Sequence, residues 1–359
     1  MRRLTAVTLG LILAILIGWL LLIGRGFLMP IVIAVLSVYV IASASNAMSG
    51  WRPTRWMPSL MRKAVLVLGF LAAIVGFNWV VIVTAQDLVA LAPRYQANLE
   101  RLIAQSMTPF GLADSTDWQT VSTFVTNRID VERSIGFLAG SVGNMVAVLV
   151  LATVYAIFLA AEAGGLPKKI AVAIPDERRA RQILGILRSV NDHIGEYLAV
   201  KTLINLIIGA VSWAILWAFG IDHALFWALM IALLNYIPYF GSLVAVMFPV
   251  TMALVQTGSL GLTLAVGASL TAAQMWVGNW LEPRVIGRRV NMSPFVVVAA
   301  LSFWSAFWGV AGAILAVPMT SVMMILLAEF RQTRPFAVML ANDVTAYQRR
   351  SEEEAAGTG

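Results

Sequence analysis

Apolar residues run along this chain in blocks of about 20, the length that crosses a hydrocarbon core about 30 Å thick. The first block is 4–23 and the second 27–45, parted only by Gly24, Arg25 and Gly26, so the two read as a tight pair of spans. Further single spans cover 64–85, 139–161, 202–220 and 258–281. Two longer stretches do not fit one span each. Residues 224–257 are broken by NYIPYFG at 235–241, and residues 294–328 are broken around Gly309 and Gly312 and again at Pro318. Non-helical backbone at membrane depth survives only where protein or water satisfies it, so both breaks point to function.

Between spans the pattern turns amphipathic. Segment 86–138 carries Val121, Phe124, Val125 and Ile129 at helical spacing, with Ser115 as a cap. In 162–201 a helix starts after Pro175 and Asp176. Its stripe of Ile183, Leu187, Val190, Ile194 and Tyr197 predicts an interfacial helix, apolar side down and arginines toward headgroups.

Charge decides the threading. Cytoplasmic loops collect lysine and arginine. The N-terminus (Arg2, Arg3), the 46–63 loop (Arg52, Arg55, Arg62, Lys63), segment 162–201 and the 284–289 turn are therefore inside, as is the tail with Arg331, Arg334, Arg349 and Arg350. Segment 86–138 has arginines 94, 101, 128 and 133 against six acidic residues and no lysine, which suits the outside. Stretch 224–257 then begins and ends outside, and 294–328 begins and ends inside. Each reads as a hairpin that enters and leaves by one face.

Composition agrees and narrows the chemistry. Of 359 residues, 60% are hydrophobic and 12% charged, against about 25% charged in a soluble domain. With mean hydropathy +0.85, a water-soluble enzyme is excluded. The first apolar run continues almost directly into a second and reads as a span rather than a cleaved leader. There is no cysteine and only His193 and His223, so thiolate metal sites, iron–sulfur clusters and multi-histidine centres are excluded. No cofactor or metal is expected. The net charge of +7 is a topology signal, not a nucleic-acid signal. No nucleophile–base pair stands out, so an enzyme is not expected.

An internal repeat fits the threading. GSLVAV at 241–246 resembles GAILAV at 312–317, and each is followed by a proline, Pro249 or Pro318. The fold expected is an all-α multi-pass membrane protein with two opposed re-entrant or broken-helix hairpins forming an inverted repeat, an architecture of transporters. The divisions are an N-terminal three-span unit (1–85), the extracytoplasmic helical segment (86–138), a fourth span with the interfacial helix (139–201), a transport core (202–328) and a cytoplasmic tail (329–359).

Candidate pathway residues follow from the breaks. Asn235 either hydrogen-bonds a solute or satisfies backbone freed by Pro238. Pro238 and Gly241 act through backbone, as do Gly309, Gly312 and Pro318 in the second hairpin. Asn205, Gln274 and Asn279 lie on the flanking spans, where amides either line a pathway or bond between helices. Glu282, before Pro283, is either an ion carrier or gate, or a helix-end carboxylate tied to an arginine. Lys201 snorkels, Asp222 caps the helix after it, and His223 is a turn residue. Trp276, Trp280, Trp304 and Trp308 read as interfacial anchors rather than solute-stacking groups.

NYIPYFGS (235–242), YLAVKT (197–202), GNWLEPRVIGRRVNMSP (278–294) and FWSAFWGVAGAILAVPMTSV (303–322) resemble the signature stretches of the autoinducer-2 exporter family. Ser242 stands where many relatives have proline, and Asn291 where glycine is usual. The resemblance implies a multi-pass transporter of the bacterial inner membrane that exports small-molecule solutes across the lipid bilayer, a homo-oligomer for which a pentamer is one form. Some relatives are assigned to quorum-signal export and others to sodium–proton antiport, which would use Glu282 as carrier. Scarcity of buried acids favours the polar-solute exporter. A non-transporting scaffold is the remaining alternative.

Overall fold

The computed structural model describes residues 2–50, 52–107, 131–286, 291–330, 332–345 and 348, and among these every regular element is helical. Seven helices are long and apolar enough to cross a membrane, with Thr8–Ile23 and Ala224–Leu234 as shorter apolar helices. Along the described helices many large apolar side chains face outward, among them Ile15, Leu68, Trp79, Leu206 and Leu264. Such a surface requires lipid rather than water. The amphipathic residues at 115–129, Arg288 and Arg289 of the basic turn, and Arg331, Arg349 and Arg350 lie outside the described residues.

The chain divides into two compact units. Unit one comprises Met1–Gly69, Val148–Lys201 and Ile286–Gly359, and unit two comprises Phe70–Ala147 and Thr202–Val285. The helices are α1 (Arg2–Ile23), α2 (Arg25–Gly50), α3 (Ser59–Met107), α4 (Val131–Ala163), α5 (Leu166–Ala173), α6 (Glu177–Ala218), α7 (Ala224–Leu234), α8 (Phe240–Thr257) and α9 (Leu260–Trp276). A π-helical turn (Val277–Leu281) joins α9 to α10 (Glu282–Ile286); α11 (Pro294–Glu329) and α12 (Arg334–Leu340) follow.

Two expected breaks are absent. The interfacial helix and the fifth span are one helix of 42 residues, α6. Only the start of its apolar stripe is free: Ile183 is exposed, whereas Val190, Ile194 and Tyr197 are buried. Gly195 meets the Tyr39 carbonyl of α2, so this stretch packs on a neighbouring helix instead of lying on headgroups. Nor does Pro283 end its helix. A proline clashes with the carbonyl four residues back, here Asn279. The π-turn around Asn279 widens the coil at that point, and the helix runs on to Ile286.

In unit two, α7 and α8 fold back on each other. At the tip Phe240 N–H donates to Pro238 O at 2.7 Å across Tyr239, which has φ 62 and ψ −59. That is a γ-turn of the strained hand. Gly241 follows, and a Cβ there would collide with the Leu234 carbonyl at the end of α7. Without side-chain bulk at Gly241 the two arms meet backbone to backbone.

In unit one, α11 is a single element by hydrogen bonding but not by direction. Gly309 interrupts it with φ 59 and ψ −137, a region closed to residues with a Cβ. Trp304 Nε1 donates to Thr320 Oγ1 at 3.0 Å across 16 residues, a separation that would span ~24 Å in a straight helix. The chain therefore doubles back. Gly312 allows it, because a Cβ there would collide with the Trp304 carbonyl.

Candidate functional site

The tip of the α7–α8 hairpin docks on α6 through polar groups. Asn235, at the end of α7, donates its Nδ2 to Asn205 Oδ1 at 2.8 Å, and both residues are buried. One residue on, the Tyr236 hydroxyl meets Thr202 Oγ1 at 2.7 Å and neighbours the Asn205 amide. Two amide donors are left short of an acceptor: Asn205 Nδ2 is buried with only the approach of the Tyr236 hydroxyl beside it and no partner in good hydrogen-bond geometry, and Gln274 Nε2 on α9 is buried with none. A buried donor without an acceptor costs about 1–3 kcal/mol. These two amides offer N–H groups to an acceptor oxygen.

Two predicted pathway residues, Asn205 and Asn235, thus come together directly, with Pro238 and Gly241 at the same tip. Gln274, Asn279 and Glu282 follow one another along α9, the π-turn and the first position of α10. Asn279 is exposed and Glu282 half-buried. Beside them Arg284 stacks over the Trp280 ring at 4.0 Å, and Trp280 stacks on Trp276 with centroids 5.7 Å apart.

The second hairpin gathers Gly309, Gly312 and Pro318, the last two buried. Trp304 and Trp308 correct the interfacial reading. Both are buried, at 8% and 4% exposure, and both indole N–H groups bond inside unit one, Trp304 to Thr320 and Trp308 to the Leu21 carbonyl of α1 at 3.1 Å. They hold the hairpin rather than anchor it at a surface. Trp276 and Trp280 are about half exposed, as an interfacial pair would be.

Three smaller expectations change. Lys201 is buried at 4% exposure and does not reach outward from the start of a span. Asp222 does not cap α7. The capping position is His223, in a left-handed turn without a side-chain cap bond, and the Asp222 carboxylate accepts instead from the Tyr95 hydroxyl at 3.3 Å. Burial and that carboxylate push the Tyr95 phenol up to about 12. Sequence reasoning missed Thr202 and Tyr236, although both stand inside the YLAVKT and NYIPYFGS stretches it singled out.

Among the described residues no group of three or more His, Asp or Glu could hold a metal. The sequence profile described as AI-2E family transporter matches residues 9–332. The chain belongs to the AI-2E transporter family. It is 27% identical to the AI-2 transport protein TqsA of Escherichia coli (strain K12), covering 93% of this chain and 96% of that protein. It is 28% identical to YhhT of the same organism, named as a transport protein, over 86% of this chain and 88% of YhhT. A transport protein of Haemophilus influenzae is 30% identical over 88% and 89%. The AI-2E chain described here is thus a multi-pass membrane protein of a family of transport proteins, similar along nearly its full length to bacterial members.

Proposed function

We propose that this protein exports a small polar solute through the membrane, with the two hairpin tips forming its moving parts. The observation that carries the reading is the buried Asn205–Asn235 pair at a broken-helix tip, with the Asn205 Nδ2 donor left over. A tip of this kind satisfies itself only in part and gains when an oxygen-bearing solute completes it. TqsA is named for AI-2 transport, so AI-2 is the first solute to try. Alternating access at the tips is the matching mechanism.

The threading assigned by sequence charge, in which the hairpins enter from opposite faces, supports this mechanism. The base of the first hairpin is held by the 87–98 part of α3, through Tyr95 on Asp222 and Asn98 on the Val255 and Gln256 carbonyls. Sequence charge assigns that part of α3 to the outside. The base of the second is touched by α6, where Gln182 donates to Glu329 at 3.2 Å, within the basic segment assigned to the cytoplasm. The first arms, 11 residues in α7 and those from Pro294 to Trp308 in α11, are ~16 and ~22 Å long. Both fall short of a core of about 30 Å, which suits tips that end inside it. On this reading the two hairpins form an inverted repeat in a bacterial inner-membrane protein with cytoplasmic termini, working as a homo-oligomer for which a pentamer is one form.

The decisive experiment loads proteoliposomes with AI-2 and follows its efflux, with Asn205→Ala as the site variant. Efflux by the parent and loss in the variant are expected. Equal efflux by both sinks the tip as the solute site. A cation-driven pH change in the same vesicles, abolished by Glu282→Gln, would instead establish sodium–proton antiport. Single cysteines introduced at Phe240 and Ala311 are expected to label from outside and inside respectively, and labelling of both from one side would refute opposed entry.

A further inference from the structure

Each hairpin is shut at its base by one carboxamide side chain that spends both its donor and its acceptor on backbone. In unit two this is Gln256, near the end of α8. Its Nε2 donates to the Gly220 carbonyl at 2.9 Å, and its Oε1 accepts from the Asp222 N–H at 2.8 Å. Gly220 and Asp222 lie just before α7, so one side chain ties the outgoing arm to the foot of the incoming arm. The α6–α7 turn is otherwise held by helix-end bonds such as Ile221 N–H to Leu216 O at 2.9 Å.

In unit one the same task falls to Asn291, just before α11. Its Oδ1 accepts from the N–H groups of Asn342 and Asp343 at 3.1 and 2.7 Å, and its Nδ2 donates to the Asp343 carbonyl at 2.6 Å. Ser293 N–H adds a bond to Leu340 O at 3.2 Å. The segment it grips leads back through α12 to the other foot. There Thr333 Oγ1 and Arg334 Nε cap the Leu327 and Ala328 carbonyls at 2.8 and 3.3 Å. The 333–343 segment is therefore a strap between the two feet of α11, fastened at one end by Asn291.

The two clasps arise differently in sequence: one is a glutamine on the outgoing arm, the other an asparagine before the incoming arm. Their chemistry is the same. A carboxamide presents a donor and an acceptor to a backbone from two separate atoms side by side at every pH, which an ionised carboxylate or an apolar side chain of similar size does not. We infer that Gln256 and Asn291 are positioning residues that clamp the feet of their hairpins, so that each hairpin moves as one piece while its tip meets the solute. The inference rests on the exporter reading for its transport consequence, while the clasp itself is testable apart from it.

The test replaces Gln256 by Ala and by Glu, and Asn291 by Asp, in the full chain. An ionised carboxylate keeps the acceptor but repels the Gly220 or Asp343 carbonyl; a protonated one restores the donor. Asp87, Asp222, His223 and Arg101 surround the first base: His223 lies 3.9 Å from Asp87, and Arg101 donates to Asn98. The unaltered chain at each pH is therefore the reference. Backbone amide exchange at 220–223 is expected to speed about tenfold in Gln256→Ala at pH 8 and pH 5, one lost hydrogen bond's worth. Gln256→Glu should do so at pH 8, where the carboxylate is ionised, with Asn291→Asp behaving alike at 340–343. In AI-2 efflux the Ala variant is expected to lose maximal rate about tenfold with KM within about twofold, because the tip is untouched.

Exchange unchanged in Gln256→Ala, or in both carboxylate variants at pH 8, overturns the clasp. Faster exchange with an unaltered maximal rate overturns its role in transport. A parent chain that moves no AI-2 at all defeats the exporter reading, and the exchange result then decides the clasp by itself.

Discussion

Gly312→Ala is the sharpest probe of the second hairpin. An alanine Cβ would stand 2.6 Å from the Trp304 carbonyl carbon and 3.1 Å from Trp308 Cβ, and would collide with the Trp304 oxygen. Ordinary contact needs roughly 3.5–4 Å between carbons, so the arms must part by about 1 Å. The Trp304–Thr320 bond, 3.0 Å long and buried, lies across that gap and would open. Overpacking of this kind costs about 1–3 kcal/mol, and the stranded indole N–H about 1–3 kcal/mol more. A loss near 3 kcal/mol is therefore expected, read as a drop of several degrees in the melting temperature of the detergent-purified protein. Gly76→Ala is the control, since nothing lies within 4 Å of its added Cβ; it should melt no lower than the parent. If Gly312→Ala melts within a degree of the control, the fold-back at Gly309 is wrong as described.

Other outcomes follow from the same geometry. Asn205→Leu strands the Asn235 amide and should destabilise by about 1–3 kcal/mol, while the double change with Asn235→Leu regains most of that; efflux should stay low in both, and efflux that recovers with stability would make the pair purely structural. Tyr239→Gly relieves a strained turn and should raise melting by about 1 kcal/mol, the strain of 1–3 kcal/mol less the chain entropy of glycine; a fall in melting would refute the strain. The Tyr95 phenol, read as the absorbance difference between the parent and Tyr95→Phe, should titrate at about 12 and lower in Asp222→Asn. Because the folded value is raised, its neutral hydroxyl holds Asp222 at all lower pH, and stability falls as pH climbs from 10 towards 12. A midpoint near 10 would show that Tyr95 is not buried against that carboxylate.

Hydropathy made most of the helices and both hairpin breaks legible, because spans and breaks are written in residue polarity. The breaks at 235–241 and at Gly309 needed only proline, glycine and an interrupted apolar run. What stayed hidden depends on neighbours distant in sequence. Trp304 and Trp308 carry the composition of an interface whether they face headgroups or a doubled-back helix. The stripe on α6 reads alike against lipid and against α2, and only Gly195 on Tyr39 decides. Asp222 looked like a cap because the left-handed turn at His223 moves the helix start by one residue. The Asn205–Asn235 bond spans 30 residues; its two members were each singled out, but nothing local pairs them.

The π-turn at Val277–Leu281 sets the facing of everything after it. A single π-helical turn, closed i to i+5, holds one residue more than an α-helical turn. Deleting Gly278 should then return a continuous α-helix and rotate everything beyond it by ~100°. Glu282 and Arg284 would swing to another face, and Pro283 would again press on a carbonyl one turn back. One extra residue in the turn thus sets which side of the helix carries the carboxylate and the guanidinium, with no change of side chain, and a one-residue deletion would redirect both.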